Sequence, residues 1–271
     1  MKLTYYRINP NGNITLIVET PVKRESQAAV AAKLMALDKT AEQVGFLEMP
    51  LTKCAALRLQ MMGGEFCGNA SISAASLLMD KIGVPEKEEN TVALEVSGAD
   101  GLLDINVRAD GEHSYTGTLP MPLPLEITAN MFLHRCEVYE LPLVRFPGIC
   151  HALVRSEISP ELGESAIKSW CSQLGSDALG LLFLDEEKGS MKPLVYVAST
   201  DTLVWENSCA SGTCAVAACL AAECGETLSV KLAQPGGTLS VKAELEDGEL
   251  MSLSLTGNAV IEECRTVVIP S

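Results

Sequence analysis

Two short stretches rich in small residues constrain this chain more than any other feature. The first, Met62 to Ala70, reads Met-Gly-Gly-Glu-Phe-Cys-Gly-Asn-Ala, and the second, Trp205 to Thr213, reads Trp-Glu-Asn-Ser-Cys-Ala-Ser-Gly-Thr. Each contains one cysteine, and apolar residues at helical spacing follow each stretch. We therefore predict that Cys67 and Cys209 stand at the N-termini of two buried helices.

A helix N-terminus is a place where a cysteine can be chemically active. Its first N–H groups have no partner within the helix, and the helix dipole gives this end a positive potential. Both effects favour a thiolate over a thiol, and both favour a bound carboxylate. Two such cysteines in one chain suggest a pair that acts on one small anionic substrate.

The order of the predicted elements repeats along the chain. In both halves a strand, a cysteine loop, an alanine-rich helix, a terminating glycine, a strand, a glycine-containing turn and a strand follow one another at similar spacing. This repetition indicates an internal duplication. The segment Pro120-Met-Pro-Leu-Pro124 is the best candidate linker. We predict domains 1–124 and 125–271, facing each other across a cleft with one cysteine on each wall.

Local patterns predict the remaining elements. Ser26 is the expected cap of a helix from Gln27 to Leu37, and a second helix covers about 70–82. In the second half, helices are predicted at 160–174 and 213–223. The first strand expected after the linker lies near Cys136, and the last strand of the chain is expected at 250–255.

Composition excludes several classes of protein. The chain has 271 residues and a formal net charge of -15, which argues against nucleic acid or an anionic membrane as a partner. Its first residues lack the apolar core of a signal peptide, and no apolar run is long enough to span a membrane. Ten cysteines are scattered without a C-x-x-C pair, and the three histidines are far apart. We therefore expect no metal site and no disulfide scaffold, but free thiols in the cytoplasm.

A pair of thiols suits a reaction that inverts an acidic C–H centre beside a carboxylate. One thiolate removes the proton from one face, and a thiol on the other face returns a proton. The two helix N-termini can hold the carboxylate and stabilise the charge that develops on it. Residue pattern alone leaves the alternative open that these cysteines fill a core; Cys214, Cys219 and Cys224, in their helical run, are expected to be small core or surface residues.

Several motifs together resemble those of the diaminopimelate epimerase-like family of cofactor-independent amino-acid racemases. The resemblance covers nearly the whole chain, and the two cysteine motifs are its most specific part. The motifs that carry it are Gly12-Asn13, Glu42-Gln43, Cys67-Gly68-Asn69, Val204-Trp205-Glu206 with Cys209, Pro235-Gly236-Gly237 and Thr256-Gly257-Asn258-Ala259.

The resemblance implies an α/β fold of the α+β type. Its two similar domains would each be a curled, mostly antiparallel sheet around a central helix, with the active site in the cleft between them. It also implies Cys67 and Cys209 as the two catalytic bases, with no cofactor. His151 and Glu206 would assist proton exchange at the thiols, although by themselves they could be a structural histidine and a solvated charge. The implied substrate contacts are Asn13, Gln43, Gly68, Asn69, Ala210 and Ser211.

Departures from the family pattern bear on the substrate, a small-molecule amino acid. Diaminopimelate epimerases carry an arginine after the glutamate of the second motif, whereas Asn207 follows Glu206 here. The distal polar contacts are also replaced, by Ile149-Cys150 and by Leu181-Leu182, so a second zwitterionic end would bind poorly. The residues of both cysteine motifs are most similar to those of the histidine racemase branch of this family. We therefore expect histidine racemisation.

Other activities stay open beside this one. They are diaminopimelate epimerisation, racemisation of another amino acid, and non-catalytic ligand binding on the same fold. The retention of both cysteines weighs against a non-catalytic protein, and the lack of a C-x-x-C pair weighs against a redox protein. The sequence leaves the oligomeric state open, with a homodimer as one possibility.

Overall fold

The computed structural model describes residues 1–269, which form two compact units of mixed α+β structure rich in sheet. The first unit comprises Met1–Pro120 and the residues from Leu255 onward, and the second comprises Met121–Ser254. The division into homologous domains 1–124 and 125–271 stays a prediction.

In the sheet of the first unit, two pairs of neighbouring parallel strands are each linked by a helix. Its elements in chain order are β1 (Lys2–Asn9), β2 (Thr15–Val18), α1 (Arg24–Leu37), β3 (Gln43–Glu48), β4 (Leu57–Met61), α2 (Gly68–Ile82), β5 (Glu89–Val96), β6 (Leu102–Gly111) and β7 (Ser114–Met121). Strand β2 is parallel to β3 across α1, and β4 is parallel to β5 across α2. The other neighbours, β1–β2, β3–β4, β5–β6 and β6–β7, are antiparallel.

The second unit likewise has two helices between strands, with three strands before α3, three between α3 and α4 and three after α4. Its elements are β8 (Glu126–His134), β9 (Glu137–Phe146), β10 (Ile149–Val154), α3 (Pro160–Leu174), β11 (Ala178–Asp185), β12 (Ser190–Val197), β13 (Thr202–Trp205), α4 (Ala210–Cys224), β14 (Leu228–Gln234), β15 (Gly237–Glu246) and β16 (Glu249–Val268). Strand β10 is parallel to β11 across α3, and β12 is parallel to β14 across α4. The end of β16 belongs to the first unit, where it pairs antiparallel with β1.

Helices α2 and α4 are the buried helices of their units. Most of their residues are removed from solvent, and many of these are Ala, Ser, Gly or Cys. Helix α2 packs against β2, β5 and β6, while α4 packs against β9, β10, β14 and β15. Helices of this kind have no polar face to expose, so strands must cover them on several sides. Both end at a left-handed glycine, Gly83 and Gly225, because a residue without Cβ adopts positive φ at no steric cost.

Several local predictions require correction. The prediction that α1 begins at Gln27 after a Ser26 cap is wrong: it begins at Arg24, after Lys23, whose side chain makes no capping hydrogen bond. Strand β8 was not predicted, and the last strand is far longer than the predicted 250–255. The expected linker is partly strand, because β7 continues through Met121.

Among residues 1–269, no helix combines the length and the apolar character needed to cross a membrane.

Candidate active site

Cys67 is the N-cap residue of α2, which confirms the predicted position of this cysteine. Its backbone is extended, with φ -138° and ψ 113°, and the Ala70 N–H donates to its Sγ at 3.4 Å. The Ser71 N–H and the Ser71 hydroxyl both donate to the Cys67 carbonyl, at 3.0 and 2.7 Å. The thiol is therefore fixed at the positive end of a buried helix.

The turn after β5 holds the loop that leads into Cys67. The Ser97 hydroxyl accepts a hydrogen bond from the Met61 N–H and donates one to the Glu65 carbonyl, both at 2.9 Å. Gly98 follows with φ +71°, and a Cβ on it would lie 2.3 Å from the Phe66 backbone nitrogen. Only glycine allows this close approach, so the turn and the cysteine loop form one rigid piece.

A chain of polar side chains extends from Cys67 to Glu42. The Cys67 thiol donates to Gln43 Oε1 at 3.0 Å, and Gln43 Nε2 donates to Asn13 Oδ1 at 2.5 Å. Asn13 Nδ2 in turn donates to Glu42 Oε2 at 2.5 Å. Gln43 Nε2 also donates to the buried Thr15 hydroxyl at 2.8 Å. The sequence singled out Asn13 and Gln43, and the structure adds Glu42 and Thr15 to the same network.

Cys209 is the N-cap residue of α4, again as predicted. Its N–H donates to Gln234 Oε1 at 2.8 Å, Gln234 Nε2 donates to Thr213 Oγ1 at 2.9 Å, and Thr213 Oγ1 donates to the Cys209 carbonyl at 2.7 Å. This closed ring of hydrogen bonds fixes the cysteine backbone. Gly212 gives the thiol its space, because a Cβ there would lie 3.1 Å from Sγ and 2.8 Å from Leu182 Cδ2.

Both cysteine loops are anchored at the residue two positions before the cysteine. In the first unit the Ser97 hydroxyl donates to the carbonyl of Glu65, and in the second the Gly236 N–H donates to the carbonyl of Asn207 at 2.8 Å. In each unit the donor lies in the strand region that follows the cysteine-bearing helix. The two loops are thus held by equivalent contacts from different residue types.

His151 is fully buried in the second unit and contacts Cys209 through Ser211. His151 Nε2 lies 2.9 Å from Ser211 Oγ, which lies 3.7 Å from Cys209 Sγ. Burial lowers the pKa of His151 to about 3, so the imidazole is neutral at physiological pH. Within residues 1–269, its Nδ1 has no hydrogen-bond partner and lies against Gly180, where a Cβ would come within 2.3 Å.

The contacts of His151 assign its tautomer. A buried N–H without an acceptor is rarer in proteins than a buried acceptor without a donor. The proton therefore belongs on Nε2, which donates to Ser211 Oγ. The Ser211 hydroxyl hydrogen is then available to the Cys209 sulfur.

The pKa of the Cys209 thiol is raised well above its ordinary value. Burial is the main cause, and the Glu206 carboxylate adds to it both by its charge and as a hydrogen-bond acceptor. The Gly212 N–H and the Ser211 hydroxyl act in the opposite direction but do not outweigh burial. Burial and the Glu206 carboxylate thus both favour the thiol form of Cys209, and the same carboxylate is a hydrogen-bond acceptor for that thiol.

The structure distributes the expected site residues between the two units. Asn13, Gln43, Gly68 and Asn69 lie with Cys67 in the first unit, where Asn69 is only 2% exposed. His151, Glu206, Ala210 and Ser211 lie with Cys209 in the second unit. The roles of these residues stay predictions.

Sequence reasoning missed the residues that support the thiols. They are Thr15, Glu42, Ser97, Gly180, Thr213 and Gln234. Gln234 directly precedes the Pro-Gly-Gly motif, and Glu42 is part of the Glu42-Gln43 motif, although no role at the site was expected of it.

Comparison with known proteins identifies close relatives in sequence. A family model described as the N-terminal domain of the histidine racemase CntK matches residues 2–263. A histidine racemase from Fusobacterium nucleatum is 35% identical over 254 residues, which cover 90% of this chain and 90% of that protein. A histidine racemase from Staphylococcus aureus is 26% identical over 220 residues, covering 79% of this chain and 78% of that protein.

Solved structures show the same fold at lower sequence identity. A probable proline racemase from Agrobacterium radiobacter superposes with a TM-score of 0.71 at 16% identity, over 99% of this chain and 93% of that chain. A hydroxyproline epimerase from Agrobacterium vitis, with trans-4-hydroxy-L-proline bound, superposes with a TM-score of 0.71 at 15% identity, over 98% and 91%.

Proposed function

The chain belongs to the histidine racemase family, and from that membership we propose that it interconverts L- and D-histidine without a cofactor. The protein is an isomerase, since its sequence relatives are racemases over most of its length. The observation that supports the chemistry best is the matching placement of Cys67 and Cys209 as N-caps of the two buried helices.

The proposed reaction uses the two thiols as a base and an acid. One cysteine, as thiolate, takes the proton from Cα and becomes a thiol, leaving the electron pair on Cα and its carboxylate. The other cysteine, as thiol, gives its proton to the opposite face of Cα and becomes a thiolate. Cα is inverted and no atom or electron is gained or lost. The mechanism requires that both sulfurs reach one bound amino acid from opposite faces. We therefore include in the proposal a cleft between two similar domains, in which the amino acid would bind.

Each turnover leaves the protons on the wrong sulfurs for a second molecule of the same enantiomer. Groups beside the thiols must therefore return them by exchange. Glu206 is suited to accept the Cys209 proton, because its carboxylate already accepts a hydrogen bond from that thiol. The His151–Ser211 pair supplies a hydroxyl that can stabilise the Cys209 thiolate once it forms.

The N-termini of α2 and α4 are suited to bind the substrate carboxylate. Backbone N–H groups in the first turn of a helix have no intrahelical acceptor, and they lie in the positive potential of the helix dipole. We assign Gly68 and Asn69 in α2, and Ala210 and Ser211 in α4, to this binding. The same groups would stabilise the negative charge that appears on the carboxylate when Cα loses its proton.

The experiment that tests this function measures exchange of the α-proton. Purified protein without pyridoxal absorbance is incubated in heavy water with L-histidine, and in parallel with other L-amino acids and diaminopimelate. The proposal predicts loss of the histidine α-proton signal together with loss of optical rotation. If no amino acid exchanges its α-proton, the proposal that the protein is a racemase is rejected. If diaminopimelate or another amino acid turns over faster than histidine, histidine is rejected as the preferred substrate.

The remaining proposals concern the cellular location and the oligomeric state of the enzyme. Its ten cysteines are all free thiols, which suits the cytoplasm that we expect for it. A homodimer is one possible assembly, and analytical ultracentrifugation of the purified protein would test it.

A further inference from the structure

We propose that Glu42 is a positioning residue that acts through Asn13 and Gln43 to turn an amide oxygen onto the Cys67 sulfur, holding Cys67 in its thiol form. The inference rests on the proposed racemase function, in which one cysteine of the pair must carry a proton when the substrate binds. It assigns Asn13 and Gln43 a role in preparing the catalytic acid, beyond contact with the substrate.

The direction of the network is set at its far end by the carboxylate. An ionised carboxylate can only accept hydrogen bonds, so Asn13 must present its amide nitrogen to Glu42 Oε2, at 2.5 Å. Asn13 Oδ1 then points the other way, toward Gln43. Because Asn13 is only 7% exposed, water does not compete freely for this oxygen.

Gln43 is locked in one orientation by two acceptors. Its Nε2 donates to Asn13 Oδ1 at 2.5 Å and to Thr15 Oγ1 at 2.8 Å. The Thr15 hydroxyl has already given its own hydrogen to the Asn13 carbonyl, at 3.1 Å, so toward Gln43 it can only accept. A flipped Gln43 amide would place its oxygen against Asn13 Oδ1. The unflipped amide therefore directs Oε1 at Cys67.

An amide oxygen 3.0 Å from the sulfur favours the S–H form of Cys67. The amide oxygen has no hydrogen to donate, so it can accept a hydrogen bond from a thiol. Against a thiolate, its lone pairs would face those of the sulfur, which is unfavourable. The longer Ala70 N–H contact, at 3.4 Å, lets the same sulfur accept while it donates.

A carboxylate is important at position 42 because both of its oxygens accept hydrogen bonds, so that rotating the group by 180° changes nothing. An amide there could offer Asn13 either an oxygen or an NH₂ group, and the second choice turns the Asn13 amide around, so that only Thr15 still holds Gln43 in its orientation. Glu42→Gln therefore removes the direction while it keeps the size of the side chain. Glu42→Asp keeps an acceptor-only end and should restore the direction.

The test measures how fast iodoacetamide modifies Cys67, by peptide mass spectrometry, between pH 6 and pH 9. Only the thiolate reacts appreciably. Exposed Cys54 in the same digest is the internal reference, and Glu112→Gln is the charge-matched control, since Glu112 is 93% exposed. Below the alkaline plateau, Cys67 should react about fivefold faster in Glu42→Gln than in the wild type, the size expected for one hydrogen bond. The wild type, Glu112→Gln and Glu42→Asp should react at similar rates.

Equal rates in the wild type and Glu42→Gln at every pH would overturn the proposal, as would a Glu42→Asp variant as fast as Glu42→Gln. If Glu42→Gln does not fold, Thr15→Val takes its place, because this variant removes the second lock on Gln43 at nearly constant volume. It should speed alkylation of Cys67 about twofold, and an unchanged rate would reject the network. Alkylation needs no substrate, so its outcome is independent of whether the wild type racemises histidine.

Discussion

Replacing Gly180 with alanine should slow racemisation, because the new methyl group would displace His151 from the position in which it contacts Ser211. Gly180 lies directly opposite His151 in the parallel pair β10–β11, and a Cβ on it would stand 2.3 Å from the imidazole Nδ1. An ordinary contact requires about 3.5 Å, so the ring must shift by roughly 1 Å. Such a shift breaks the 2.9 Å contact between His151 Nε2 and Ser211 Oγ.

The magnitude follows from two opposing contributions to the free energy of unfolding. Overpacking a buried site costs about 1–3 kcal/mol, whereas replacing glycine by alanine gains about 0.4–1 kcal/mol by restricting the unfolded chain. The net loss of about 1–2 kcal/mol should lower the melting temperature by about 2–8 °C. Turnover should fall about tenfold, the factor that corresponds to one lost hydrogen bond of about 1.4 kcal/mol at Ser211.

The assay compares kcat/KM and thermal melting for Gly180→Ala and Gly111→Ala. Gly111 has open space where a Cβ would be placed, so its variant should match the wild type in both measurements. A Gly180→Ala protein with normal turnover and normal melting would refute the close packing of His151. Normal turnover with lowered stability would refute the link from His151 through Ser211 to the thiol.

Two further changes test the supports of the first unit. Gly98→Ala should abolish activity and strongly destabilise the fold, because it combines φ +71° with a Cβ 2.3 Å from the Phe66 nitrogen; soluble, active protein would contradict this. Glu95 accepts hydrogen bonds from the Leu51 N–H and from Arg58, and the backbone bond is the main reason why its pKa is lowered to about 2. A carboxyl with a lowered folded-state pKa stabilises the fold above its unfolded value near 4.5 and loses that contribution as pH falls toward 2. Glu95→Gln should therefore flatten the acid limb of a stability–pH curve, and an unchanged limb would refute the assignment.

The sequence was sufficient to place the two catalytic candidates because helix N-termini and glycine ends are local features. Cys67 and Cys209 are N-caps, and Gly83 and Gly225 end their helices, where the residue pattern indicated. Local chemistry failed where no capping side chain exists. Helix α1 begins after Lys23, so the plausible cap Ser26 misplaced its start.

Features that depend on strand pairing were beyond local reasoning. The last strand continues to Val268 because its far end pairs with β1, more than 240 residues earlier in the chain. The fit of His151 against Gly180 likewise depends on the register of β10 and β11. Gln234 could not be linked to Cys209 without knowing how the strand after α4 returns past the helix N-terminus.

The two-thiol mechanism is tested most directly by serine variants of both cysteines. Cys67→Ser and Cys209→Ser keep the size of the side chain but replace the thiol by a much weaker acid. Each should lower kcat/KM for racemisation by about 100-fold or more, the usual contribution of a general acid or base. Cys214→Ala is the control, because this buried cysteine lies within α4, and its variant should keep near-normal turnover.

The exchange of the α-proton from each enantiomer in heavy water separates the roles of the two cysteines. If each thiol serves one face of Cα, the two serine variants should retain any residual exchange with opposite enantiomers. Near-normal racemisation by both serine variants would contradict the mechanism.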